Sequence, residues 1–221
     1  MMDAWLITPP KWIRRLYPAF EWEVKTTNPI VYLTFDDGPT PAITEWVCNQ
    51  LAQYNAKATF FCVGRHVEAH PTIMSQLLQH GHVVANHTWN HVNGWKTANK
   101  AYLEEVNKGE FALLPYSNFE KLFRPPYGKM SREQTKLLKE KGYSIVQWDF
   151  LTRDYNPSID VATAMTRIEK SIKPGSILLF HDSEKAFPII KQLLPYTLQL
   201  LQKKGFECKV LTQDLFLNQG N

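Results

Sequence analysis

The chain has 221 residues, of which 44% are hydrophobic, and its formal net charge at pH 7 is +4. This length suits one large domain or two small ones and is ample for a sizeable core. The lysines and arginines are scattered, so the charge pattern does not indicate a nucleic-acid surface. No apolar stretch is long enough to span a bilayer.

The N-terminal segment is basic and aromatic between residues 10 and 18, and it lacks the long apolar stretch that is typical of a signal peptide. This segment could lie on a membrane surface, but we favour an N-terminal arm, residues 1–28, packed on a barrel domain of residues 29–221. The three cysteines are far apart and include no CxxC pair, so we expect reduced, packed thiols. The expected location is cytoplasmic or peripheral to the membrane.

From residue 30 onward, short apolar runs alternate with segments of helical periodicity. The runs predicted as strands are residues 30–35, 57–63, 82–86, 121–124, 143–148, 176–181 and 206–211. Such alternation is typical of parallel strands whose connecting helices cover the sheet.

Caps, prolines and glycines mark the helices between these strands. Thr40, followed by Pro41 at the first helical position, is predicted to start the first of them. Ser131 and Gln134 fit a capping box that starts a later helix. Glycines are expected to end several of these helices, at Gly81, Gly142 and Gly205.

Polar clusters follow five of the predicted strands, at positions where a core has no need of them. They are residues 36–37, 86–91, 124–128, 148–155 and 181–182. In a parallel barrel the carboxyl ends of all strands share one rim, which is where barrel enzymes hold their active sites. An open sheet would spread the clusters along a line. We therefore predict a single-domain, distorted (β/α) barrel of about seven parallel strands.

Two of these clusters contain aspartates and histidines, residue types that commonly serve as metal ligands. Asp36 and Asp37 end the first strand, where a solvated turn is the simplest alternative. His87 and His91 are four residues apart, and on one helical turn both rings would point to one side. Two imidazoles and one carboxylate leave positions open for water and substrate, as a catalytic metal site requires. Their place on the same rim favours this interpretation over a pair that merely caps a helix.

Arg124 and His181 also end predicted strands. A buried arginine there would need an acid as partner, and Asp36 is the natural candidate. For His181, a proton-transfer role at the rim is favoured over a satisfied core histidine. We interpret the remaining histidines as structural or solvated: His66, His70, His80 and His82.

Five stretches, in this order, resemble the motifs of the NodB-homology polysaccharide deacetylases, carbohydrate esterase family four. They read TFDDGP, HTWNH, RPPYG, WDFLTRDY and LLFHD. The resemblance extends from about residue 30 to residue 211. It implies a distorted (β/α) barrel of the NodB-homology type and metal-dependent removal of N- or O-linked acetyl groups from sugars.

The resemblance also implies roles for single residues. Asp36 would be the general base, His181 the general acid, and Arg124 would hold Asp36 in place. The ligands of a divalent metal, usually zinc but with cobalt or another divalent ion allowed, would be Asp37, His87 and His91.

On the substrate side, the resemblance implies that the backbone N–H of Tyr127 helps to stabilise the oxyanion and that Leu179 lines the pocket for the acetyl methyl group. Pro126 and Tyr155 complete the substrate-binding residues that we expect from the motifs.

The fourth motif departs from the family pattern, which commonly reads Asp-Ser-x-Asp-Trp. Leu151 stands in place of the first Asp and Tyr155 in place of the Trp. The acid that orients His181 would then be one of three neighbours, of which we favour the first: Asp154, Asp149 or Asp182.

The expected function is therefore a metal-dependent N-deacetylase of N-acetylglucosamine-containing glycans, such as peptidoglycan or chitooligosaccharides. The same chemistry on a lipid-linked sugar or a small non-sugar amide is an alternative. A silent carbohydrate-binding relative is a third reading, which the presence of Asp36 and of the metal ligands disfavours. No nucleic-acid partner and no membrane span are expected.

Overall fold

The structure, a computed structural model, describes residues 7–217. The first six residues of the predicted arm and the last four of the predicted barrel domain lie outside the described residues. Within the rest of the arm, a short helix α1 (Lys11–Leu16) precedes a two-residue strand β1 (Phe20–Glu21). This strand joins the edge of the sheet, and Val24 N donates to Gly175 O.

The sheet is parallel throughout the part of the chain that the structure describes. Its remaining strands are β2 (Ile30–Asp36), β3 (Ala58–Cys62), β4 (Val83–Asn86), β5 (Phe119–Phe123), β6 (Ser144–Val146), β7 (Phe150–Leu151), β8 (Ile177–His181) and β9 (Glu207–Cys208). They run in the order β1-β6-β5-β4-β3-β2-β8-β7, and β9 pairs with the start of β2. Among residues 7–217, no ladder joins β1 to β7, so the barrel is open between these two strands.

Helices connect the strands and cover the outside of the sheet. They are α2 (Ile43–Gln53), α3 (Gly64–Ala69), α4 (Pro71–Gln79), α5 (Asn99–Leu113), α6 (Arg132–Glu140), α7 (Val161–Ser171), α8 (Phe187–Lys203) and α9 (Asp214–Leu217). Two 3₁₀ turns, Gly94–Lys96 and Pro126–Gly128, lie in loops at the carboxyl ends of β4 and β5. None of the helices in the described ranges is long and apolar enough to cross a membrane.

The predicted capping box is confirmed, because Ser131 Oγ accepts from Gln134 N and Gln134 Oε1 accepts from Ser131 N. The predicted start of α2 at Pro41 is wrong. Ala42 has a φ of 63°, so the helix begins only at Ile43. Side chains from inside the helix supply the caps instead, since Glu45 Oε2 accepts from Ala42 N.

Several short elements were not predicted: the two-residue strands β1 and β7, the helices α1, α3 and α9, and the two 3₁₀ turns. Two residues are too few for a periodic pattern, so these strands carry no sequence signal of their own. The predicted last strand is shorter than expected. Beyond Cys208 the chain leaves the ladder, and Leu211 N donates to Thr59 Oγ1.

Alternation along β2 determines which side chains face the barrel interior. Val31, Leu33 and Phe35 pack in the core between sheet and helices, whereas Tyr32 belongs to a second cluster of inward-facing side chains. Because side chains on a strand alternate between the two faces, Asp36 shares the inner face with Tyr32. The first carboxylate of the Asp-Asp pair is thus buried inside the mouth of the barrel.

Candidate active site

The carboxyl ends of β2, β4, β5 and β8 form one rim, which carries most of the polar residues discussed above. Strands β2 and β8 pair in a register that sets Asp36 opposite His181. Arg124 follows β5, and its backbone N donates to Asn86 O at the end of β4. The parallel register therefore gathers side chains that are far apart in the sequence.

Arg124 is fully buried beneath the rim and holds Asp36. Its Nη1 lies 2.8 Å from Asp36 Oδ1 and donates also to Thr34 Oγ1 at 2.8 Å. The other donors are satisfied by backbone, Nε by Val146 O and Nη2 by Gln147 O. A buried ion pair in which each guanidinium nitrogen is hydrogen-bonded fixes the position of the carboxylate and leaves Asp36 Oδ2 to face the site.

Asp37, His87 and His91 form the one group of potential metal ligands found within residues 7–217. One ligand atom from each residue lies within 4.8 Å of the others. Asp37 Oδ1 is 3.2 Å from His91 Nε2 and 3.9 Å from His87 Nε2. Among the described residues this buried oxygen has no partner in hydrogen-bond geometry, which is the state expected of a ligand atom.

The protonation states of this group suit a divalent cation. Burial lowers the pKa of His87 to about 4, although Asp36 opposes the shift, so the ring is neutral at pH 7. Its Nδ1 donates to Arg124 O at 2.7 Å, which leaves the lone pair on Nε2. Burial would raise the pKa of Asp37, but the imidazoles of His91, His181 and His87 hold it below its usual range. One carboxylate and two imidazoles fit a metal with nitrogen and oxygen ligands.

The two histidines meet for a reason other than the one predicted. The segment from His87 to His91 is a loop and not a helical turn, and Thr88 and His91 have φ angles of 65° and 57°. Helix α5 fixes this loop, since Trp89 N donates to Glu105 O. The expectation of a helical HxxxH pair is therefore wrong in its conformation, although the two rings do come together, with centroids 5.0 Å apart.

His181 is bound by Asp154. The His181 Nδ1 lies 2.7 Å from Asp154 Oδ1, and its backbone N donates to Asp154 Oδ2 at 2.8 Å. Burial lowers the pKa of His181, but the buried Asp154 carboxylate, with smaller contributions from Asp37 and Asp36, raises it by more, to about 9. The other two candidates for this contact are engaged elsewhere: Asp149 accepts from Ile177 N, and Asp182 from Gly38 N.

Two further residues support the site: His66 had no predicted part in it, and Asp182 was only one of three acids considered as the partner of His181. His66, interpreted from the sequence as structural or solvated, places its Nδ1 2.8 Å from Asp37 O and so supports the backbone of a candidate ligand. Asp182 is fully buried and accepts from Gly38 N and Thr44 Oγ1. Burial raises the pKa of Asp182 to about 7. Its place directly after His181 was the only available signal, and no pattern pointed to His66.

Gly38→Ala is expected to destabilise the fold by about 3 kcal/mol, because the added Cβ would lie 2.0 Å from Asp182 Oδ2 and push the carboxylate away, which breaks the hydrogen bond from Gly38 N to Asp182 Oδ1. Urea unfolding measures this change. Gly205→Ala is the control, since a Cβ there would meet nothing within 4 Å. Only the strain of a side chain at a φ of 73° should lower its stability, by about 1 kcal/mol. Equal losses for the two variants would show that space beside Asp182 is not limiting.

Aromatic rings stand on two sides of the site. The Tyr127 ring packs edge-on against His91, with centroids 4.7 Å apart, and the Tyr155 ring packs edge-on against His181 at 5.1 Å. Pro126 is buried beside Tyr127. Leu179 is buried in a small apolar cluster with Trp148 and Leu151, and the partly buried Tyr155 packs against this cluster.

The remaining histidines lie apart from this group. His82 is buried and its Nδ1 accepts from Ala58 N, and burial lowers its pKa to about 3. His80 stacks on it, with ring centroids 6.0 Å apart. His70 occupies the N-cap position of α4 without a side-chain hydrogen bond to the helix, and it does not join the site. All three cysteines are free thiols, as expected.

Comparison with known proteins agrees with this geometry. The family model for polysaccharide deacetylase matches residues 23–146. The chain belongs to the polysaccharide deacetylase family, and the resemblance inferred from the five motifs is confirmed.

Two curated relatives match over most of their length. A peptidoglycan-N-acetylglucosamine deacetylase of Bacillus cereus is 34% identical over 188 residues, which cover 84% of this chain and 87% of the relative. A chitooligosaccharide deacetylase of Azorhizobium caulinodans is 32% identical over 195 residues, covering 82% of this chain and 92% of that protein.

Solved structures confirm the fold. A peptidoglycan N-acetylglucosamine deacetylase, crystallised with a substituted benzamide, superposes with a TM-score of 0.82 at 30% identity and covers 91% of this chain and 94% of its own. A family 4 carbohydrate esterase from Streptomyces lividans, in complex with acetate, gives a TM-score of 0.75 at 26% identity, with 86% of this chain and 96% of that chain covered. The predicted distorted (β/α) barrel is therefore confirmed.

Proposed function

We propose that this protein is a metal-dependent hydrolase that removes the acetyl group from N-acetylglucosamine residues of a glycan, either peptidoglycan or a chitooligosaccharide. The observation that best supports the proposal is that three groups of side chains lie together at one rim of the barrel. These groups are the Asp36–Arg124 pair, the Asp37–His87–His91 group and the His181–Asp154 pair. The names of the relatives support the choice of substrate.

The Asp37–His87–His91 group would hold the metal, for which we propose zinc, because this donor set is common for catalytic zinc and leaves a position open. A divalent ion held there would polarise the acetyl carbonyl and acidify a water molecule. His66 steadies the loop that carries Asp37, and Arg124 O fixes the tautomer of His87.

Asp36 would serve as the general base. Arg124 binds its Oδ1, so Oδ2 is the oxygen available to accept the proton of the attacking water. That oxygen lies 3.8 Å from His87 Nε2 and is therefore next to the proposed ligands. The backbone turns at Asp37, where φ is 85°, so the two adjacent carboxylates point in different directions. Asp36 can therefore serve as the base while Asp37 binds the metal.

The tetrahedral oxyanion would be stabilised in part by the backbone N–H of Tyr127, and a preorganised donor of this kind contributes about 3–4 kcal/mol. Leu179, buried with Trp148 and Leu151, would line the site of the acetyl methyl group. Pro126 and Tyr155 would border the sugar.

His181 would act as the general acid. Asp154 keeps its ring protonated at neutral pH and binds Nδ1, which leaves the Nε2 proton for the amine nitrogen of the leaving sugar. The acetyl group leaves as acetic acid, which ionises to acetate, and a free glucosamine residue results. Asp36 gives its proton to solvent and His181 takes one back, so both groups are restored.

The activity of the wild-type protein should fall as pH rises through about 9, where His181 loses its proton. In Asp154→Asn the main raising charge is gone, while burial still lowers the pKa of His181 and only Asp37 and Asp36 still raise it, so this limb should move to lower pH. The pH profile of kcat/KM for both proteins measures the shift. A wild-type limb that is unchanged in the variant would show that Asp154 does not set the pKa of His181.

The same pair has a consequence for stability. Because the folded protein raises the pKa of His181 to about 9, the pair stabilises the fold fully below about pH 6.5, the usual pKa of an unfolded-chain histidine. That contribution is lost between about pH 6.5 and 9, and chemical unfolding across this range should show a larger loss in the wild type than in Asp154→Asn, where only Asp37 and Asp36 still raise the pKa of His181.

Acetate release from a panel of substrates tests the proposed function. The panel contains chitooligosaccharides, peptidoglycan fragments, acetylated xylan and small N-acetyl amides, each assayed with zinc. We expect release from the first two. Release from the small amides alone would instead support hydrolysis of a non-sugar substrate, and release from none would contradict the proposal.

A further inference from the structure

An exposed tryptophan stands on a rigid turn close to the site. Trp95 lies in the 3₁₀ turn Gly94–Lys96, four residues after His91, and 62% of its surface is exposed. Its indole Nε1 nevertheless donates to Met130 O at 3.0 Å. The ring is therefore held in one orientation although most of it faces solvent.

The turn itself is tightly pinned. Gly94 N donates to Lys129 O, and the buried Gln134 side chain donates to Gly94 O at 2.9 Å and to Thr97 O at 3.0 Å. A Cβ at Gly94 would lie 2.6 Å from Lys129 O, so the approach of the two loops requires glycine here. A surface that is fixed before binding loses little entropy when a ligand is bound.

This turn is connected to the candidate metal ligands by a second exposed ring. Tyr127 is 60% exposed and packs on His91, and two residues later the Lys129 ammonium lies 5.1 Å from the centre of the Trp95 ring. Four residues of extended chain reach at most about 14 Å, which bounds the distance from His91 to Trp95. Two exposed aromatic rings, Tyr127 on His91 and Trp95 within about 14 Å of His91, therefore stand on this side of the site.

The chemistry of this surface matches a sugar ring. The C–H bonds on one face of a pyranose are weakly positive and pack on the negative face of an aromatic ring. The Lys129 ammonium lies over part of the indole ring, and it supplies hydrogen-bond donors for hydroxyl or carboxylate oxygens of a glycan that packs on the rest of the exposed ring. A ring with a few polar groups around it is the usual composition of a small-ligand site.

We propose that Trp95, with Lys129 beside it, binds a second sugar of the glycan, on the His91 side of the residue that is deacetylated. This inference rests on the proposed function and adds that the substrate is an oligosaccharide bound along the surface from Tyr127 to Trp95. Trp95 is a binding residue for the neighbouring sugar and takes no part in the chemical step.

The test compares Trp95→Ala with the wild type on the tetrasaccharide of β-1,4-linked N-acetylglucosamine. Loss of the stacking surface should raise KM about tenfold, whereas kcat should change less than KM does. Calorimetric titration of the metal-free proteins with the same tetrasaccharide should show a similar rise in Kd. Trp95→Phe keeps a ring and should recover most of the affinity, and Lys129→Ala should give a smaller loss in the same direction.

Trp12→Ala is the matched control, because Trp12 is 61% exposed but lies on α1, away from the rim. It should leave both KM and Kd unchanged. If Trp95→Ala has wild-type KM and Kd while the wild type releases acetate, this inference is wrong and the proposed function stands. If Trp95→Ala lowers kcat alone, Trp95 is structural and the inference is again wrong. If the wild type releases no acetate, the proposed function and this site fail together.

Discussion

Asp36→Asn should reduce kcat on an N-acetylglucosamine oligosaccharide by about 10³-fold while the protein still binds one zinc ion. The amide cannot accept the proton of the attacking water, and loss of a general base lowers rates by about 10²–10⁴-fold. Asp37, His87 and His91 remain in place, so the metal stays. Acetate release and zinc content, measured on the same preparation, separate the two effects.

The substitution also removes the charge that faces the buried Arg124, and breaking a buried pair costs about 3–5 kcal/mol. An asparagine retains an oxygen that can accept a hydrogen bond from Arg124 Nη1, so the loss of stability should be smaller than this full cost. Asp149→Asn is the matched control, since Asp149 is also a buried carboxylate but bonds Ser176 and Ile177 away from the proposed ligands. Asp36→Asn with more than a tenth of wild-type kcat would exclude Asp36 as the base.

His87→Ala should remove zinc and activity together. His87 is buried, neutral and fixed by Arg124 O, so its Nε2 lone pair is available to a metal ion. Loss of an outer-shell partner weakens metal binding by about 10–100-fold, and loss of a ligand itself should exceed about 100-fold. Zinc affinity by competition with a chelator and acetate release are the two measurements.

His82→Ala is the control for this variant, because His82 is equally buried but lies at the start of β4, away from the rim. Its removal should lower stability and leave zinc affinity unchanged. A His87→Ala protein that binds zinc as tightly as the wild type would show that the Asp37–His87–His91 group is not the metal site.

The sequence was informative where alternation and chain direction decide the outcome. The apolar run before Asp36 predicted a strand, and parallel pairing then required its end to meet His181 and Arg124 at one rim. The departure of the fourth motif left three acids for His181. Only the folded chain shows that Asp154 reaches it, because Asp149 and Asp182 are bound by other groups.

The spacing of residues gave a wrong conformation where loops, and not helices, hold the side chains of the site. Four residues between His87 and His91 matched a helical turn, but positive φ angles at Thr88 and His91 build a loop that brings the rings together. No sequence pattern marks such angles in residues other than glycine. Packing between segments that are remote in the chain also produces two contacts that the sequence did not predict. They are the contact of His66 Nδ1 with Asp37 O and the hydrogen bond from Trp95 Nε1 to Met130 O.

Zinc titration of the metal-free protein, with acetate release from the N-acetylglucosamine tetrasaccharide as the readout, tests metal-dependent deacetylation most directly. Metal-free protein should be inactive, and activity should rise in proportion to added zinc until one ion is bound per chain. The His87→Ala variant should show no such rise. Full acetate release without metal, or stoichiometric zinc binding without any acetate release, would contradict the proposed function.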